Sequence, residues 1–77
     1  MAGVVTVRFH EHENYDVNRD ERVIIFIATT DKGSYFCEVV DNGAKSIREA
    51  RKEFKDAAID LIQSGQPPCE LTFETLH

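Results

Sequence analysis

A chain of 77 residues with 42% hydrophobic content has room for one small domain, since independently folding units run to roughly 50–200 residues. A chain this short buries only about 60% of the surface it exposes when unfolded, so an enclosed catalytic cavity would take most of its core. Nine Lys and Arg against fourteen Asp and Glu give a net charge of −5, which disfavours indiscriminate attachment to nucleic acid or to an anionic membrane, both driven by positive charge.

In chain order, Val5-Thr6-Val7-Arg8-Phe9-His10 alternates apolar and polar residues with the period of a half-buried strand, which predicts Val5, Val7 and Phe9 inward. From Glu11 to Glu21 the sequence turns polar and acidic, with Asn14 and Asn18 as turn formers, and predicts a mobile acidic loop or a frayed hairpin. Arg22 to Thr29 is apolar at both parities and rich in β-branched residues, so it predicts a strand covered on both faces or one whose second face awaits a partner. We assign Val23, Ile25 and Ile27 to the helix side and Ile24 and Phe26, with Phe36, to the opposite face. Thr30-Asp31-Lys32-Gly33 supplies turn chemistry, and Ser34 to Val40 returns as the second arm of a hairpin before Asp41-Asn42-Gly43.

Ser46-Ile47-Arg48-Glu49 matches a capping box. Apolar residues recur with helical spacing from Ile47 to Ile62, Gly65 stands at a helix stop, and Pro67-Pro68 forbid continuation. Cys69 to Thr75 alternates again, which predicts a short terminal strand at a sheet edge or paired with another copy. The expected fold is a single α+β domain spanning 1–77, of order β-β-β-α-β, with the helix across one face of an antiparallel sheet.

The N-terminus shows no basic segment leading into an apolar stretch of about 7–15 residues, and the longest apolar run, Val23 to Ala28, is six residues against the ~20 that span a bilayer. A cytoplasmic protein is expected. Cys37 and Cys69 sit in apolar stretches as reduced, core-like residues.

The segments Lys32 to Val40, Gly43 to Ala50, Phe54 to Ile62 and Gly65-Gln66-Pro67-Pro68 together resemble the antitoxin domain of the HicB type over residues 23–70. That family has a glycine-led strand, a glycine before a Ser/Thr helix cap with a Glu-Ala pair, a helix of similar length and a Gly-x-Pro exit. Its Pro- and Gly-rich turn ahead of the helix is replaced here by Asp41-Asn42-Gly43, and its DNA-binding C-terminal part is not matched. The resemblance implies a sheet-and-helix module that dimerises and occludes a partner protein.

Three residue sets are candidates for function. At 100° per residue, Arg48, Arg51, Lys52 and Lys55 share one arc of the helix, and Glu49, Glu53, Asp56 and Asp60 share another about 120° away. Such segregation is unusual on a solvated helix, which gains from interspersed i,i+4 pairs, and each flank could meet a complementary surface; a solvated helix whose segregation arose by chance would also explain it. The acidic set Glu11, Glu13, Asp16, Asp20 and Glu21 could mimic a phosphate backbone and enter a basic groove; solubility alone would also explain it. The apolar set Ile24, Phe26 and Phe36 is the expected homodimer interface.

His10-Glu11-His12 places two imidazoles on one side of an extended chain, with His77 as a third ligand in reserve, but no metal site is assigned. No nucleophile-base pair, phosphate loop or cofactor motif is present in the sequence, so no enzyme activity and no cofactor are expected. The resulting expectation is a protein-binding module whose partner has a basic surface: an inhibitor or antitoxin-like protein masking a nucleic-acid-binding or nuclease site. One form of this is a phage or mobile-element inhibitor of host defence, such as an anti-CRISPR protein acting by nucleic-acid mimicry. The alternative is RNA binding through the basic helix flank, against which the net charge argues.

Overall fold

The computed structural model describes residues 6–41 and 46–71. Three antiparallel strands, β1 (Arg8–Asp16), β2 (Glu21–Thr30) and β3 (Gly33–Asp41), lie in the order β1-β2-β3, and the helix α1 (Ile47–Gln63) follows. The α+β class and the β-β-β-α order are those expected from the sequence.

The first strand starts and ends later than its apolar alternation suggests. Glu11 to Asp16, expected as a mobile loop or a frayed hairpin, form the hairpin, as strand residues paired with Phe26 back to Glu21. The reason is the partner: β1 sits at the sheet edge, where one side of its backbone ladder is satisfied by β2, and an edge strand tolerates charged side chains. Only Val17–Asp20 form the turn. There the Asp16 carboxylate accepts from the backbone N–H of Asn18 (3.0 Å) and Arg19 (3.2 Å), and Asp20 takes a left-handed φ of 54°, a conformation that Asp accepts more readily than most residues. Of the expected inward set, Val7 packs on the core, Phe9 stays 36% exposed, and Val5 lies outside the described residues.

The β2–β3 connection is a two-residue turn at Asp31-Lys32, closed by the pair Thr30 with Gly33. Gly33 has φ of 136°, and a Cβ placed on it would come within 3.0 Å of the Pro68 ring. Glycine is therefore required twice over, by backbone angle and by the helix-exit loop that crosses it.

In α1 the Ser46 hydroxyl accepts from the Glu49 N–H at 3.3 Å, the first arm of the capping box. At the other end Gln66 N donates to Leu61 O (3.0 Å) and Gly65 N to Ile62 O (3.1 Å), with Gly65 at φ 75°. This is the Schellman pattern that a glycine after a helix predicts.

The core lies between α1 and one face of the sheet. Ile24, Phe26 and Ala28 of β2 and Tyr35 and Cys37 of β3 meet Ala50, Phe54 and Ala58 of the helix. The rings of Phe26 and Phe54 stack with centroids 5.7 Å apart and planes at 25°. Both are 1% exposed, and burial at that level stabilises by roughly 1.5–3 kcal/mol per ring. The parity expected for β2 is thus inverted: Ile24 and Phe26 lie under the helix, and Val23, Ile25 and Ile27 point the other way. Phe36, paired with Ile27, does lie on the uncovered face.

The expected terminal strand is reduced, among the described residues, to one parallel bridge. Phe36 N donates to Cys69 O (3.3 Å) and Leu71 N to Phe36 O (2.7 Å), which pairs Phe36 with Glu70. The chain therefore returns beside β3 at the sheet edge, and residues 72–75 of the predicted strand lie outside the described residues.

Candidate partner-binding surface

The charged groups divide into those engaged inside the molecule and those left on its surface. Strand alternation puts Glu11 and Glu13 on the helix side of the sheet. Arg51 of α1 reaches down to clamp both carboxylate oxygens of Glu11, with Nη2 at 3.0 Å from Oε1 and Nε against Oε2. Arg22 joins Glu13 (3.2 Å) to Asp41 (2.6 Å) across three strands. Asp16 is held by its turn and by Arg19 Nε at 2.9 Å, and that guanidinium lowers its pKa below the ordinary carboxylate value. Of the five acidic residues singled out in the sequence, three therefore carry an arginine partner. Asp20 and Glu21 make no such pair among the described residues.

The basic flank of the helix is engaged in the same way. Arg51 is bound to Glu11, which raises its own pKa. Lys55 lies over the Phe9 ring at 5.3 Å from the centroid, and Lys52 pairs with Asp56 one turn on at 3.2 Å. Only Arg48 of the four has neither an ion pair nor a ring contact among the described residues. This side of α1 leans over β1 and closes the edge of the core.

The acidic flank faces away. Glu49, Asp56 and Asp60 are exposed and Glu53 is half-buried. The four carboxylates span about 16 Å of helix, roughly one per turn. Of these, Glu49 and Asp60 make no ion pair among the described residues.

Among the described residues, no helix lies on the opposite side of the sheet. Its β2 and β3 residues are Val23, Ile25, Ile27, Phe36, Glu38 and Val40, and β1 adds Arg8, His10, His12 and Asn14 through the observed register. Phe36 is 40% exposed and Val23 is 5% exposed, and Ile25, Ile27 and Val40 are half-buried. The sequence reading missed Val23, Ile25, Ile27 and Val40 as surface candidates because it placed β2 with the wrong parity. Of its three interface residues, only Phe36 is on this face.

His10 and His12 share the open face as expected, and among the described residues no group of three His, Cys, Asp or Glu is arranged to hold a metal. Cys37 is in the core, where burial, with Glu70 and Glu38 adding, pushes its thiol up to about 11. It and the exposed Cys69 are both free thiols. A shallow cleft of about 280 Å³ lies between the β2–β3 turn and the helix exit, lined by Lys32, Tyr35, Ile62 and Pro68 among others. The Tyr35 hydroxyl at its wall already donates to the Gln66 carbonyl. No described helix is long and apolar enough to cross a membrane.

The chain matches no family model, no curated protein and no solved structure.

Proposed function

We propose that the protein is a non-catalytic binding module that docks a basic surface on a protein partner and so masks a nucleic-acid-binding or nuclease site. The supporting observation is the separation of charge on α1. Two of its cations, Arg51 and Lys55, are turned onto β1 against Glu11 and the Phe9 ring, while Glu49, Glu53, Asp56 and Asp60 form an acidic ridge on the outer helix surface, where Lys52 pairs with Asp56. A row of carboxylates at about 5 Å intervals offers a basic groove a charge spacing on the scale of a nucleic-acid strand, where phosphates advance roughly 3.4 Å along the axis. A helix holds that row without the ordering cost a loop would carry. The resemblance to the HicB-type antitoxin domain points to the same kind of role, and an inhibitor carried by a phage or mobile element is one form of it.

Relative to the sequence expectation, the docking residues move. Glu11, Glu13 and Asp16 are engaged by arginines of the same chain, and the helix ridge carries the proposal with Asp20 and Glu21 as lesser contributors. Direct RNA binding through Arg48, Arg51, Lys52 and Lys55 is disfavoured because three of the four are engaged internally.

The test is affinity capture from the native host at low and high salt. The tagged chain is compared with a Glu49→Lys, Asp56→Lys, Asp60→Lys variant and with an Arg48→Glu, Lys52→Glu variant. A stoichiometric basic protein recovered by the parent and by the second variant, and lost with the first variant or at high salt, is the expected result. Recovery of the same proteins by parent and ridge variant would overturn the proposal, and loss with the second variant together with bound RNA would favour the RNA reading.

A further inference from the structure

We propose that the uncovered sheet face binds a second copy of this chain, face to face, about a two-fold axis running along β2. This inference stands apart from the acidic ridge, which lies on the other side of the molecule.

Three observations carry it. The first is composition: Ile25, Ile27, Phe36 and Val40 form an apolar band on the face opposite the helix, by the pairing Ile27 with Phe36, and it ends at Val23, which pairs with Val40 and is already buried at 5% exposure. A band of this kind on a small domain marks an interface. The second is area. Three strands of nine or ten residues give a flat footprint of about 30 by 14 Å, roughly 430 Å² per copy. The relief of side chains raises the accessible area above the footprint, so two copies reach about the 1,000 Å² at which specific interfaces begin.

The third is charge, and it selects the occupant and the axis. The β1 margin of the face carries His10 and His12, and the β3 margin carries Glu38, with Glu70 beyond it through the bridge to Phe36. His12, Ile25 and Glu38 share one level of the sheet, and His10, Ile27 and Phe36 the next. A two-fold axis along β2 lays the β1 margin of each copy over the β3 margin of the other at the same level. Each His12 then meets a Glu38, and each His10 meets a Phe36 flanked by Glu70. An imidazole can donate a hydrogen bond to a carboxylate whether or not it is charged. A two-fold axis across the strands instead stacks Glu38 on Glu38 and His12 on His12, like groups opposed. Pairing at the free β1 edge is worse still, because a two-fold axis through His12 sets Glu11 against Glu13 twice, a destabilising cross-strand arrangement. In the favoured arrangement the two sheets pack as an aligned sandwich and both helices stay outermost.

Sedimentation equilibrium of the full chain from about 1 to 200 µM tests this, with circular dichroism on every variant to confirm the fold. The expected result is a monomer–dimer equilibrium that Phe36→Lys weakens at least tenfold. His12→Glu should weaken it too, by opposing Glu38 of the second copy. Adding Glu38→Lys to His12→Glu should restore association, since the introduced carboxylate of one copy then meets the introduced ammonium of the other across the axis, whereas within one chain the two positions are separated by β2. A monomer at all concentrations would overturn the proposal, as would a dimer insensitive to Phe36→Lys. Failure of the double variant to regain association while its circular dichroism is native would rule out the axis along β2.

Discussion

The two faces of the sheet have nearly the same apolar content along β2, yet one is a finished core and the other is an unfinished surface. Under the helix, Ile24, Phe26 and Ala28 meet Ala50, Phe54 and Ala58, and every large side chain has a partner. On the far side, Ile25 and Ile27 are flanked by His10, His12, Phe36 and Glu38 and stay half-buried, outside the core cluster. Hydrophobicity alone does not decide which side of a strand is inside; the neighbours in register do.

That contrast can be broken most sharply at the aromatic stack. Phe54→Ala or Phe26→Ala should destabilise the fold by about 3–5 kcal/mol in urea unfolding, whereas Phe36→Ala on the open face should change the stability of dilute protein by less than about 1 kcal/mol. Equal losses at Phe26 and Phe36 would show that the two faces are not different in kind. Gly33→Ala comes next. The positive φ and the Pro68 ring together should cost about 1–3 kcal/mol, and a midpoint within error of the parent would place the helix-exit loop elsewhere. Ser46→Ala, which removes the helix cap, should cost about 1 kcal/mol and be largely recovered by Ser46→Asp.

The smallest expected effect is a difference between the two thiols. Cys69 should react with an alkylating reagent at pH 8 in native protein and Cys37 should not, as peptide mapping by mass spectrometry would show. Because folding raises the Cys37 pKa to about 11, its contribution to stability is complete below the unfolded thiol value near 8.5 and is lost as pH rises through 11. Native Cys37 reacting at the rate of Cys69 would contradict its place in the core.

Much of the fold was legible because its signals are local. The Ser46 cap, the Gly65 stop and the Asp31-Lys32 turn each depend on a few neighbouring residues, and each appears where the sequence puts it. The extent of β1 was not legible, since Glu11 to Asp16 are strand only by virtue of the apolar strand beside them. The parity of β2 was within reach. The two-residue turn pairs Thr30 with Gly33, so Ile25 must lie opposite Glu38 and Phe26 opposite Cys37. The polar Ser34 and Glu38 then mark the odd-numbered residues of β2 as the solvent side. The sequence also separates the two charged flanks of α1, but it does not show that Glu11 engages Arg51, because the two are forty positions apart and meet only when the helix is laid across the sheet.

One measurement bears on both faces at once. In a Cys69→Ser background, single cysteines at Ile24 and Ile27 are labelled with a thiol reagent in native protein at rising concentration. The expected result is that Ile24→Cys stays protected throughout, while Ile27→Cys labels in dilute protein and becomes protected as copies associate. Labelling of Ile24→Cys with protection of Ile27→Cys in dilute protein would put the helix on the other face, and labelling of Ile27→Cys that does not change with concentration would leave the open face without its second copy.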